Sequence, residues 1–170
     1  MKPIVLIGMM GSGKTTVGKQ LATQLKLSWI DTDQYIENLE NQSISKLFQL
    51  KGESYFRECE TKALQQTLKK YEIISTGGGM ILKSENQELL KKDAFVIYLE
   101  TQLSTLVSRL DTSNRPLLQQ DDLTTKLSSL IKQRQALYQE CADVIIQTDE
   151  LLVDDIVKQI ISYIKQNKKA

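Results

Sequence analysis

The stretch Gly8-Met9-Met10-Gly11-Ser12-Gly13-Lys14-Thr15 constrains this chain more than any other. It follows the apolar run Ile4-Val5-Leu6-Ile7 directly and opens a segment with Val17, Leu21 and Leu25 on one helical face. Glycines at this spacing let a backbone turn tightly from strand to helix. Successive N–H groups then converge at the positive end of the helix, where an anion is favoured. Lys14 adds a charge for β- and γ-phosphates, and the Thr15 hydroxyl is a ligand suited to Mg²⁺. The pattern G-x-x-x-x-G-K-[ST] therefore predicts a nucleoside triphosphate with magnesium bound by the loop Gly8–Thr15, with Gly11, Ser12, Gly13, Lys14 and Thr15, and Thr16 next to them, as the nucleotide-binding residues. A chance match in a flexible loop is the alternative. The strand before it and the helix after it count against that.

Further short apolar runs alternate with longer amphipathic ones. Residues 27–30, 72–76, 95–99 and 144–146 read as strands. Residues 14–25, 85–90, 103–110, 123–138 and 153–164 read as helices, and 33–68 as helical with a break near Lys51 and Gly52. Strands apolar throughout, separated by helices, imply a parallel sheet covered on both faces. The expected fold is α/β, three layers α/β/α around a five-stranded parallel sheet. With 170 residues and no linker or repeat, one domain spanning 1–170 is expected. Residues 111–122 lack apolar periodicity and read as an exposed, mobile loop.

Composition removes several classes. Lys plus Arg total 22 against 21 Asp plus Glu, without the basic excess of a nucleic-acid or anionic-membrane binder. No run approaches the ~20 apolar residues of a spanning helix. No leader is expected, because the first apolar run already feeds the glycine loop. Without histidine, any mechanism must do without an imidazole base or ligand. Cys59 and Cys141 lack metal-ligand spacing and read as reduced thiols, with a disulfide left open. A cytoplasmic protein follows.

Other polar residues gather after the apolar runs. Asp31 and Asp33 flank Thr32 beyond the second strand, where open α/β sheets bind ligands. Asp31 could hold Mg²⁺ through water. Asp33 could take a proton from an attacking hydroxyl, or merely cap the next helix. Thr76-Gly77-Gly78-Gly79 exposes more backbone than a turn needs. Arg57 reads as a helix-surface arginine paired with Glu60 or Glu53. Arg134 has apolar neighbours at helical spacing and can point inward, where an arginine wants a bidentate anion. Arg115 lies in the loop, suited to neutralising charge on a transferring phosphoryl group.

In combination these motifs resemble the shikimate kinases, of the nucleoside monophosphate kinase-like P-loop group. The resemblance spans Gly8 to Asp149. It comprises the phosphate loop, Asp31-Thr32-Asp33, Gly52-Glu53 with Phe56-Arg57 and Glu60, Thr76-Gly77-Gly78-Gly79, Arg115-Pro116-Leu117-Leu118, Arg134 with Leu137-Tyr138, Ala142-Asp143 and Thr148-Asp149. It implies ATP-dependent phosphorylation of the 3-hydroxyl of shikimate, on the way to chorismate and the aromatic amino acids. Catalytic roles are implied for Lys14, Asp33 and Arg115, and metal contacts for Thr15 and Asp31. Arg109 and Arg115 would join the phosphate loop in holding ATP. Asp33, Arg57, Gly77, Gly78, Gly79 and Arg134 would hold shikimate, with helices over about 33–62 carrying part of that site. Phe48 and Phe56 would line the pocket, and 111–122 would form the lid. A monomer is implied, with shikimate and ATP as its partners and neither nucleic acid nor membrane. Two alternatives stay open: another acceptor such as gluconate or a nucleoside monophosphate, and a nucleotide-dependent switch without catalysis.

Overall fold

The computed structural model describes residues 1–111 and 120–167. In chain order the elements are β1 (Ile4–Ile7), α1 (Lys14–Leu25), β2 (Trp29–Asp31), α2 (Thr32–Glu40) and α3 (Ile44–Thr67). Then come β3 (Ile73–Ser75), a 3-10 turn at Met80–Leu82, α4 (Ser84–Asp93), β4 (Phe95–Glu100) and α5 (Leu103–Asp111). They end with α6 (Gln120–Cys141), β5 (Val144–Gln147) and α7 (Val153–Asn167). The strands form one sheet in the order β2-β3-β1-β4-β5, and every pairing is parallel.

The apolar runs follow from burial on both faces. In β1, Val5 and Ile7 pack with Leu64, Leu90, Leu106 and Tyr138 on one side. Ile4 and Leu6 pack with Val17, Leu21, Ile156 and Ile160 on the other. β4 alternates the same way, with Val96 and Tyr98 on the first side and Ile97 and Leu99 on the second. Complete burial of one such side chain is worth ~1.5–3 kcal/mol, so neither face tolerates a charge. A third cluster, Ile36, Leu47, Phe56, Cys59 and Ala63, holds α2 against α3. No helix of the described residues is long and apolar enough to cross a membrane. Both cysteines are free and buried.

Some boundaries differ from those read in the sequence. The stretch read as helical over 33–68 is interrupted twice. Gly52 (φ 81) kinks α3, as expected. The second break is at Asn41, left-handed at φ 51, which ends α2. Ser43 then accepts a bond from Lys46 N and starts α3. Asn at a helix end and Ser at a helix start are local polar signals, hidden here by strong helix formers on both sides. α6 begins at Gln120, ahead of the expected Leu123. The rest of the expected lid lies outside the described residues.

Sheet register places the site. Leu6 lies level with Ser75, and Ser75 with Asp31. The residues two further along are Gly8, Gly77 and Asp33. Two loops and the first turn of α2 therefore leave the carboxyl edge of the sheet at one height. The chain moves from β1 to one edge and returns, and β4 takes the other side, so a crevice opens above β1.

Candidate active site

The phosphate loop has the backbone its glycines predict. Gly11 and Gly13 have φ of 81° and 95°, a region that other residues enter only with strain. Gly13 is the N-cap of α1, and Ser12 N donates to Met9 O at 3.1 Å. Lys14 is buried, and its Nζ donates to Gly8 O and Met9 O, both at 2.8 Å. Burial pushes Lys14 down to about 8, opposed by the nearby carboxylates of Asp33 and Asp31. Thr15 and Thr16 are exposed at the start of α1.

Asp31 has two jobs. Its Oδ1 accepts from Asp33 N at 2.9 Å and from Gln34 N at 3.3 Å, capping α2. Its Oδ2 accepts from the Thr15 hydroxyl at 2.7 Å. The cap considered for Asp33 thus belongs to Asp31, because β2 extends through Asp31 and α2 starts at Thr32. Asp33 is left with Oδ1 buried and without a hydrogen-bond partner among the described residues. Burial, reinforced by the Asp31 charge, pushes Asp33 up to about 6.

The glycines after β3 meet three polar side chains in turn. A Cβ on Gly77 would lie 2.6 Å from Asp33 Oδ1. One on Gly78 would lie 3.3 Å from Arg134 Nη1 and 3.4 Å from Met10 N of the phosphate loop. One on Gly79 would collide with the Arg57 guanidinium. A side chain at Gly77 or Gly79 would have to displace Asp33 or Arg57, and one at Gly78 would be a tight fit, so each bare backbone unit faces one charged group.

The two arginines differ in their surroundings. Arg57 Nη1 bonds Glu60 at 2.5 Å, and Nη2 bonds Glu53 at 3.2 Å. Glu60 is buried, which pushes its carboxyl up to about 7 against the pull of Arg57. Arg134, 7% exposed, has no carboxylate within ion-pair distance among the described residues, and its Nε is buried without a partner. Phe48 and Phe56 lie with ring centroids 4.8 Å apart. Arg109 is exposed and donates to Gly11 O of the phosphate loop at 3.0 Å. Arg115 lies outside the described residues.

Three participants escaped the sequence reading. Trp29 Nε1 donates to Ser75 Oγ at 3.0 Å, and Ser75 donates to Lys14 O at 2.8 Å. A Cβ on Gly18 would run into both side chains. This chain of bonds ties β2 and β3 to the first turn of α1. A serine closing the apolar run of β3 was the only trace of it.

The chain is similar to proteins of known family over nearly its whole length. A family model described as shikimate kinase matches residues 10–165. A shikimate kinase from Dictyoglomus turgidum is 37% identical over 167 residues, covering 95% of this chain and 96% of the relative. One from Legionella pneumophila (strain Corby) is 41% identical over 163 residues, covering 95% and 93%. The solved shikimate kinase from Acinetobacter baumannii, in complex with shikimate, superposes with a TM-score of 0.91. It is 37% identical and covers 99% of this chain and 95% of that one. Five parallel strands, a phosphate loop above β1 and this likeness over nearly the full length lead to one conclusion: the chain belongs to the shikimate kinase family of phosphotransferases.

Proposed function

We propose that the protein transfers the γ-phosphoryl group of ATP to the 3-hydroxyl of shikimate, giving shikimate 3-phosphate and ADP on the route to chorismate. The observation that carries this reading is the contact of Gly77, Gly78 and Gly79 with Asp33, Arg134 and Arg57 in turn. One carboxylate and two guanidiniums, beside the phosphate loop, complement a small acid bearing hydroxyls. Arg57 and Arg134 hold the substrate carboxylate. Asp33 accepts a hydrogen bond from the reacting hydroxyl, and then its proton. The three glycines line that pocket, with Phe48 and Phe56 at its apolar side. Phosphoryl transfer depends mainly on such positioning and charge.

On the donor side, Gly11, Ser12, Gly13, Lys14, Thr15 and Thr16 hold the triphosphate. Lys14 holds the transferred group, Arg109 lies towards the adenine, and Arg115 comes from the lid. The Thr15 hydroxyl and the Asp31 carboxylate are hard oxygen ligands in contact with each other, a donor pair that suits Mg²⁺, which needs only one or two carboxylates besides phosphates and water. Bound there, Mg²⁺ would neutralise charge on the triphosphate. The same reading makes the protein a cytoplasmic monomer of one domain.

A coupled ADP-release assay with an acceptor panel tests the reaction. Turnover with shikimate should exceed that with gluconate or a nucleoside monophosphate by orders of magnitude. Shikimate turnover equal to the background without acceptor overturns the reading.

The pH profile is a second check. Asp33 must be ionised to accept a proton, and Lys14 must be charged to hold phosphate. With Asp33 raised to about 6 and Lys14 lowered to about 8, kcat/KM should be bell-shaped, falling below the first value and above the second. A profile flat from about pH 5 to about pH 9 would contradict both roles.

A further inference from the structure

Tyr138 is almost wholly buried, one helical turn beyond Arg134 on α6. Its ring stacks on Tyr98 of β4, with centroids 5.0 Å apart and planes 26° apart. Its hydroxyl donates to Gly78 O at 2.5 Å, and Met9 Sδ of the phosphate loop lies 3.9 Å away. The Arg134 guanidinium is beside that hydroxyl. Burial pushes Tyr138 up to about 12, so the hydroxyl stays a donor at any working pH.

The acceptor carbonyl is what matters. Gly78 C=O belongs to the Gly78–Gly79 peptide, which is flanked by Arg134 at Gly78 and by Arg57 at Gly79. A trans peptide is rigid and planar, so a bond to its carbonyl also fixes the direction of the Gly79 N–H. Two glycines in succession have no side chain to set that plane. The hydroxyl does so from α6, the helix that also carries Arg134.

We propose that Tyr138 is a positioning residue for the acceptor. By pinning the Gly78–Gly79 peptide, its hydroxyl sets the spacing between the Arg57 and Arg134 guanidiniums and hence the affinity for the substrate carboxylate. This rests on the carboxylate role given to those arginines above.

Tyr138→Phe keeps the stacked ring and removes only the hydroxyl. The shikimate KM should rise about five- to tenfold, the range of one lost hydrogen bond. The ATP KM should move less than about twofold, and calorimetric Kd for shikimate should follow its KM. Tyr98→Leu serves as the control: it loosens the same stack without touching the hydroxyl, and should lower Tm more while moving the shikimate KM less. An unchanged shikimate KM in Tyr138→Phe, an equal rise for ATP, or a KM that merely tracks Tm across both variants overturns the proposal. Arg57→Ala separates the two readings. If it weakens shikimate while Tyr138→Phe does not, only the Tyr138 proposal fails. If neither weakens it, the carboxylate reading fails first.

Discussion

Asp33→Asn should lower kcat by roughly 10²–10⁴ while making the protein more stable. The two effects share a cause. Asp33 Oδ1 is buried without a partner, and burial together with the Asp31 charge raises its carboxyl to about 6. A carboxyl whose folded pKa lies above its unfolded value binds its proton more tightly in the folded state. Its ionisation therefore costs folding free energy as pH rises from the unfolded value through about 6, and that cost is fully present at pH 7. An amide has nothing to ionise. The variant should gain roughly 1–3 kcal/mol at neutral pH, or a few degrees in Tm. The gain should vanish below about pH 4, where the wild-type carboxyl is protonated in both states. Thermal unfolding from pH 4 to pH 8 beside steady-state kinetics checks both parts. Full turnover in Asp33→Asn would leave the reaction without its assigned base. A loss of turnover accompanied by a loss of stability would mean that the substitution had damaged the fold instead.

Arg134→Met should raise the shikimate KM by roughly 30- to 700-fold, the equivalent of ~2–4 kcal/mol for a buried charge that loses its bidentate partner. Arg134 suits this test because no carboxylate of the described residues pairs with it. A buried cation with no carboxylate at ion-pair distance is a cost to the folded protein, only partly offset by Glu60 further off. Methionine fills similar space without that cost, so Tm should hold or rise. Arg134→Lys should recover only part of the affinity, because an ammonium cannot make the parallel pair of bonds a guanidinium makes. Equal rises in the shikimate and ATP KM values would refute a carboxylate clamp. Arg57 is a less clean probe. It already holds Glu60 and Glu53, and its removal leaves Glu60 buried beside Asp33.

What could be read from residues alone was whatever a short stretch decides for itself. The phosphate loop is built by consecutive backbone groups, so residues 8–15 carry it complete. The runs Ile4–Ile7 and Phe95–Glu100 are apolar at every interior position because both sheet faces are covered, and that pattern implies parallel strands. The inward face of Arg134 followed from its neighbours on one helix. Asp33 was harder, since its place after the second strand suits a helix cap as well as a proton acceptor. The end of β2 at Asp31 assigns the cap to Asp31 and frees Asp33.

Sequence alone determined the donor side of this protein, the loop for a triphosphate, and the α/β architecture around it. The acceptor side was visible only as scattered parts: an acid pair, three glycines and two arginines far apart in the chain. Tertiary structure decided which part meets which. Strand order β2-β3-β1 and a shared register put Gly77 against Asp33, while α3 and α6 carry Arg57 to Gly79 and Arg134 to Gly78. Tyr138, whose ring could pass for plain core, acquired its bond to Gly78 the same way. The physical reason is range. A turn or a cap is decided by atoms a few bonds apart, whereas a contact between distant segments exists only after the sheet has set their relative positions.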